Sequence, residues 1–245
     1  MDKKEFLRNS LIGFESALTE DKLDKLITYY EMIVKKNEVM NLTAITDFDE
    51  FVVKHYLDCL QIQRVFDLTG KKLSMIDVGT GAGFPGIPLK IMYPDLTVTL
   101  FDSLQKRISF LDEVITELNL DNIVTVHGRA EEFGRIEDFR EKYDLVVSRA
   151  VAELTSLCEI SIPFCKVGGS FISYKGSKGI DELKQAEYCI KTLGCKISKT
   201  DSFKLNNFDA EEYNRTLIEI VKIKSTDSKY PRGGGKPFKS PLHIV

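Results

Sequence analysis

Apolar residues follow two periodicities along this chain, and the change between them comes near residue 70. Upstream, Leu23, Leu26, Ile27, Tyr30, Ile33 and Val34 recur at three- and four-residue spacing, which puts them on one face of a helix. Thr19 suits the N-cap of that helix, with Glu20 and Asp21 in its first turn. A second helical run, Val52, Val53, Tyr56, Leu57, Leu60 and Val65, comes after Asp47 and Glu50, whose spacing matches a capping box. It predicts a helix over residues 51–66. The polar stretch 37–46 between the two helices reads as a connection that reaches the mouth of a site. Residues 1–68 are therefore expected to form an N-terminal helical extension.

Downstream, short apolar runs rich in β-branched residues alternate with amphipathic ones. The runs at 73–78, 97–101, 123–126, 143–147 and 170–174 predict strands, and 106–118 and 181–193 predict helices between them, the second stopped by Gly194. Two further runs, 196–205 and 216–223, lie close enough to pair antiparallel. The expected fold class is α/β, a mostly parallel seven-stranded sheet with helices on both faces over residues 69–224. Residues 225–245 change character. Lys229-Tyr230-Pro231-Arg232-Gly233-Gly234-Gly235-Lys236-Pro237-Phe238-Lys239 combines glycine, proline and positive charge with no acid. Such a tail is expected to be mobile when free and drawn to phosphate, with a merely solubilising end as the competing reading.

Composition narrows the class. With 245 residues and a net charge of −3, the chain has room for a large core and is no polyelectrolyte, so any nucleic-acid binding must use local patches. No apolar stretch approaches the roughly 18 residues of a membrane span and the first residues hold no signal core, so a cytoplasmic protein is expected. Cys59, Cys158, Cys165, Cys189 and Cys195 are odd in number and lack zinc-ligand spacing. They read as reduced core thiols, and no metal site is expected.

Candidate chemistry centres on Met75-Ile76-Asp77-Val78-Gly79-Thr80-Gly81-Ala82-Gly83-Phe84-Pro85-Gly86. A strand that ends in an acid and runs into Gly79, Gly81 and Gly83 lets backbone approach a ligand without a Cβ in the way, with the amides of the next helix facing an anion. The dinucleotide pattern G-x-G-x-x-G fails in this register, because its third glycine falls on Phe84, and the literal match at Gly81, Gly83 and Gly86 begins too far past the strand. An acid two residues before three alternating glycines resembles instead the cofactor loop of S-adenosylmethionine-dependent methyltransferases.

In an open parallel sheet ligands bind beyond the carboxyl ends of the strands. Asp102 ends the second strand where a carboxylate accepts from ribose hydroxyls, with helix capping as a compatible alternative role. Ala130 and Glu131 follow the third strand, where a backbone amide would read an adenine edge; a solvated first-turn acid is the plainer reading of Glu131. Arg149 follows the fourth strand, where methyl donor and acceptor should meet, and an internal ion pair competes with a role in the site. His127 reads as structural, and His55 either faces substrate or is a packed surface residue. The fourth strand is not followed by the Asp/Asn-Pro-Pro-aromatic run that aligns exocyclic amines, and Cys158 and Cys165 lie too far along for a covalent nucleophile. A ring nitrogen with a free lone pair, which needs positioning and little acid/base help, fits such a site.

With these residues in place, the chain resembles the family of bacterial small-subunit ribosomal RNA guanine-N7 methyltransferases known as RsmG or glucose-inhibited division protein B. The likeness rests on Met40-Asn41-Leu42-Thr43-Ala44-Ile45, Lys54-His55-Tyr56-Leu57-Asp58, the loop from Asp77 to Pro88, Asp102-Ser103-Leu104, Arg129-Ala130-Glu131-Glu132, Ser148-Arg149-Ala150 and the tail Lys229-Tyr230-Pro231-Arg232. It implies a Rossmann-like S-adenosylmethionine-dependent methyltransferase fold and methyl transfer to nitrogen 7 of one guanosine of 16S ribosomal RNA near the decoding centre. Family cofactor contacts carry over to Gly79, Phe84, Ala130, Glu131 and Arg149, and Cys59 stands where the family more usually has serine. Arg149 is the one candidate for a catalytic, positioning role. Phosphate contacts are expected from Lys106, Arg107, Lys175, Lys178 and the tail, the small ribosomal subunit is the expected partner, and the enzyme is expected to be a monomer. A small-molecule methyltransferase with a helical lid and a non-catalytic RNA-binding assembly factor are the alternatives.

Overall fold

The computed structural model describes residues 2–14, 18–149, 151–206 and 212–243. Its strands are β1 (Ser74–Val78), β2 (Thr97–Asp102), β3 (Ile123–His127), β4 (Tyr143–Arg149), β5 (Cys165–Lys175), β6 (Cys195–Asn206) and β7 (Glu212–Lys222). They form one seven-stranded sheet in the order β3-β2-β1-β4-β5-β7-β6. Strands β1 to β5 pair in parallel, and β7 runs antiparallel between β5 and β6. The strand order reverses at β1, which pairs with both β2 and β4, and this opens a crevice at their carboxyl ends.

Alternation along each strand builds two cores. Met75, Leu100, Leu145, Val147, Ile172 and Leu217 face one side, while Ile76, Phe101, Val146, Phe171 and Ile218 face the other, as the period-2 geometry of a strand requires. The first face is covered by α1 (Lys3–Ser10), α2 (Glu20–Asn37), α3 (Phe48–Phe51), α4 (Asp58–Leu60), α5 (Gly86–Met92) and α6 (Gln105–Glu117). The second carries α7 (Ala130–Phe133), α8 (Leu154–Ser161) and α9 (Gly179–Thr192). The helical extension thus shares one core with the sheet. Tyr29 Oη donates to the Ala82 carbonyl at 2.5 Å, Tyr56 Oη to Leu26 at 2.6 Å and Tyr174 Oη to Cys59 at 2.8 Å, all buried.

Thr19 caps α2 through the Lys22 amide, and Asp47 caps α3 through Glu50. The regular helix expected over 51–66 is instead four joined pieces: α3, a π-helical turn (Val52–Leu57), α4 and a 3-10 turn (Gln61–Arg64). Five-residue hydrogen bonding in the π-helical turn shifts the helical phase of the residues after it. Asp58 and Cys59 consequently turn into the core, and Leu57 is only partly buried.

The tail departs from the mobile end expected of its composition. Arg140 donates to the carbonyls of Tyr230 (2.8 Å) and Thr226 (2.7 Å), and Arg135 to that of Pro231 (2.8 Å). Arg232 pairs with the fully buried Glu159 of α8 through Nε and Nη2 at 2.8 and 2.7 Å. These contacts bring α10 (Lys236–Lys239) onto α8. Charge and glycine content predict solvation, but side chains of the folded domain capture the tail's carbonyls.

Tyr29→Phe removes the donor to a buried carbonyl and is expected to cost about 1–3 kcal/mol. Urea unfolding checks this, and unchanged stability would show that the extension is not held to the loop by this bond.

Candidate functional site

The turn after β1 is built around two constraints. Gly79 has φ +74°, and a Cβ there would lie 2.6 Å from Val151 Cγ2. Gly83 has φ +109°, and its Cβ would lie 2.5 Å from Tyr29 Oη. Larger residues meet both strain and collision at these positions. The turn is held by Gly79 and Thr80 amides donating to the Phe101 carbonyl at 2.8 and 3.0 Å.

Asp77 is fully buried. Its Oδ2 accepts from Thr80 Oγ1 at 2.7 Å and from the Gly86 amide at 2.8 Å, while Oδ1 has no partner. Burial pushes this carboxyl up to about 7, against the two hydrogen bonds, which favour its charged form. The first amide of α5 therefore faces the protein's own carboxylate, in place of the ligand anion expected from the sequence. Asp102, also buried, accepts from the Gly81 amide at 2.9 Å and from Arg107 Nη1 at 3.3 Å through Oδ2, and from the Leu104 amide at 2.9 Å through Oδ1. It ties the glycine loop to the start of α6 and still lines the crevice on both sides.

Three cavities meet at Val151. One, about 350 Å³, is lined by Gly79, Asp102, Gly128, Ala130, Glu131 and Phe238 among others. A second, about 480 Å³, runs along Gly79, Gly81, Phe84, Asp102, Arg107 and Arg149. The third, about 550 Å³, lies under Ile45, Lys54, His55, Asp58, Arg149 and Arg215. Six of the candidate cofactor residues, Gly79, Gly81, Phe84, Asp102, Ala130 and Glu131, thus line the first two cavities, and Arg149 lines the second and third. Asp77 and Gly83 stand behind the loop. The connection 37–46 does reach the site, through Leu42 and Ile45. Ala150 lies outside the described residues.

Arg149 combines the two readings of it. Its side chain is 13 % exposed, with Nη1 at 2.9 Å from Asp58 Oδ2 and Nη2 at 3.0 Å from His55 Nδ1. Asp58 Oδ1 accepts from Arg215 Nε at 3.0 Å. The guanidinium also sits 4.9 Å from the Phe84 ring centroid, and the His55 ring stacks on Phe84 at 4.5 Å. Because a guanidinium only donates, His55 Nδ1 accepts and the ring proton lies on Nε2, directed at Thr43 Oγ1 3.0 Å away. His55 is therefore an inward-facing member of the site, and not the surface residue that its helix position allowed. Burial, then the charges of Arg149, Arg215 and Lys54, push it down to about 2.

Asp58 and Arg215 escape sequence reasoning, because the π-helical turn and the long-range return of β7 bring them in. Lys175 departs from its expected role at a phosphate: it is buried, at 2.8 Å from Glu182. Lys106 and Lys178 are exposed, Arg107 is partly engaged by Asp102, and His127 bonds the Ser103 carbonyl at 3.1 Å. All five cysteines are free and buried, and burial raises Cys158 and pushes Cys165 up to about 12, so neither serves as a nucleophile.

Asp77 and His55 give opposite pH dependences. In the unfolded chain His55 protonates below about 6.5, but the native ring stays neutral down to about 2, so acidification favours unfolding. Asp77 protonates near 7 when folded and near 3.9 when unfolded, so acidification over the same range favours folding. The two offset one another between pH 7 and pH 5. Asp77→Asn leaves the histidine unopposed and is expected to lose about 2 kcal/mol on going from pH 7 to pH 5. Urea titrations at both values check this, and an equal loss in the unaltered protein would refute it.

A family model described as rRNA small subunit methyltransferase G matches residues 22–212. The protein named ribosomal RNA small subunit methyltransferase G from Lachnoclostridium phytofermentans is 52% identical over 92% of this chain and 91% of its own length. That of Acetivibrio thermocellus is 47% identical over 99% and 100%. Among solved structures, M. jannaschii TYW2 in complex with AdoMet superposes with TM-score 0.50 at 15% identity, over 68% of this chain and 77% of that one. A precorrin-6y C5,15-methyltransferase from Geobacter metallireducens gives TM-score 0.51 at 14% identity, over 75% and 92%. These two share the fold, the Rossmann-like one of methyltransferases. Matched by the family model over residues 22–212 and by such relatives over nearly the whole length of both chains, the chain belongs to the rRNA small subunit methyltransferase G family.

Proposed function

We propose that this protein transfers a methyl group from S-adenosylmethionine to nitrogen 7 of a guanosine in 16S ribosomal RNA, near the decoding centre, acting as a cytoplasmic monomer on the small ribosomal subunit. The observation that carries the reading is the junction at Arg149, His55 and Val151, where an elongated two-lobed crevice meets a separate cavity open to a second reactant.

The residues fit the cofactor. The two lobes share Gly79, Asp102 and Val151, which suits one ligand running through both, and the Cβ missing at Gly79 leaves the passage between them clear. Ala130 and Glu131 would hold the adenine end, Asp102 the ribose hydroxyls, and Gly81, Phe84 and Arg149 the amino-acid end. S-Adenosylmethionine supplies a methyl group activated by its sulfonium. The chain's own residues bind, align and shield.

The acceptor cavity holds cations and no free base among the described residues. Asp58 is taken by Arg149 and Arg215, Glu182 by Lys175 and the Leu154 amide, and His55 Nδ1 by Arg149. Tyr174, raised well above its ordinary range by burial, donates to Cys59. Such a wall suits an acceptor that attacks without first losing a proton, as nitrogen 7 of guanine does. Arg149 acts by position and charge, holding the nucleotide against the loop. Exposed Lys106 and Lys178, which line none of the three cavities, would supply phosphate contacts.

Labelled methyl transfer to small subunits lacking the modification, with naked ribosomal RNA in parallel, tests this reading; label in 7-methylguanosine is expected, and label in any other nucleoside, or none, overturns it. Gly79→Ala is expected to abolish S-adenosylmethionine binding in calorimetry while RNA affinity stays within about threefold, since RNA is held by separate phosphate contacts.

A further inference from the structure

The C-terminal arm forms part of the crevice wall. Gly235, Phe238 and Lys239 line the 350 Å³ lobe together with Phe101, Gly128, Ala130, Glu131 and Ile160. Phe238 is 46% exposed. A single exposed aromatic needs no explanation of its own, but this one borders an apolar slot that residues 128–131 also line.

The arm is held there by specific contacts. Arg232 grips Glu159 with Nε and Nη2, its own amide donates to the same carboxylate at 2.8 Å, and Nη2 also reaches the Ser240 carbonyl at 2.8 Å. One side chain thereby closes residues 232–240 into a loop and fixes it on α8. Within that loop Gly234 and Gly235 take φ +69° and +70°, which turns the chain so that Pro237 is buried and Phe238 is left at the lobe. The buried Tyr230 and the Arg140 carbonyl clamp anchor the preceding residues.

We infer that this arm completes the adenine subsite, with Phe238 as the ring that stacks on the purine of the cofactor. The inference rests on the proposed use of S-adenosylmethionine and adds a wall that the glycine loop and the strand ends do not provide. In this arrangement the purine would lie between Phe238 and residues 128–131, and Asp102, which lines the same lobe, would take the ribose. Arm and loop then bind the same ligand from opposite sides, so the segment read from sequence as an RNA-attracting tail belongs first to the cofactor.

The chain contains no tryptophan, so Phe238→Trp introduces a unique fluorophore at the proposed stack. Titration with S-adenosylhomocysteine is expected to quench it, with a midpoint matching the Kd from calorimetry on the same variant. Phe238→Ala, at an exposed position that leaves the core intact, is expected to weaken S-adenosylhomocysteine binding roughly tenfold, in line with base–aromatic stacking elsewhere. Binding by calorimetry without a fluorescence change in Phe238→Trp, or an affinity within about twofold of the unaltered protein in Phe238→Ala, overturns the inference and leaves the proposed function standing. No binding of S-adenosylhomocysteine to the unaltered protein overturns both.

Discussion

A guanidinium buried at the carboxyl end of a parallel strand must be neutralised where it lies, because stranding an unpaired buried charge costs several kcal/mol, a large share of such a domain's net stability. Arg149 ends β4 in that position and takes its counter-charge from Asp58, outside the parallel strands. The N-terminal helical region must therefore be docked before the strand end is electrostatically complete. Arg215, arriving on β7, shares the same carboxylate, so the extension, the central strands and the antiparallel hairpin meet at one buried carboxylate. Two guanidiniums on one carboxylate leave a positive excess facing the 550 Å³ cavity, and an anionic ligand such as a nucleotide is the kind that offsets it.

The same junction fixes the state of His55. Its ring is stacked against Phe84, its Nδ1 is occupied by Arg149, and two further cations lie close enough to oppose protonation. A histidine lining a ligand-sized cavity invites assignment as a base. Here the geometry makes it a neutral spacer that holds Phe84 and Arg149 in register, and Thr43 Oγ1 at its far nitrogen connects it to the loop over the cavity. His55 lies within the π-helical turn over Val52–Leu57 and Asp58 opens α4 three positions later, so the two partners of Arg149 come from one side of the same helical run.

Much of this is legible in the sequence, because its signals are local. Strand alternation separates Met75 from Ile76 and Leu145 from Val146, and that alone divides the two cores. The glycine spacing marks the loop, and the chain positions of Asp102, Glu131 and Arg149 relative to the expected strands put them at the crevice. The hidden part depends on contacts between distant segments. Helical periodicity assumes one residue spacing throughout and so misplaces the inward faces around Leu57 and Asp58. Lys175 reads as a free cation until α9 brings Glu182 to it. The tail's glycines and prolines suggest disorder, but its carbonyls are satisfied by Arg135 and Arg140 of the folded domain. Composition carries no record of partners so far away along the chain.

An open α/β sheet leaves its crevice wet, and the electrostatic interactions that position a reactant weaken in water. Both ends of this chain counter that problem from opposite directions. Leu42, Ile45 and His55 of the N-terminal region wall the 480 and 550 Å³ cavities, and Phe238 of the C-terminal arm borders the 350 Å³ lobe. Each is fastened by a buried ion pair between an arginine and a carboxylate on a neighbouring element, Arg149 with Asp58 and Arg232 with Glu159. Removing one partner of such a pair strands a buried charge, so neither wall can lift away without a large cost unless the pair moves with it. The sheet fixes the strand ends, and these two ion pairs fix the walls placed beside them from either end of the chain.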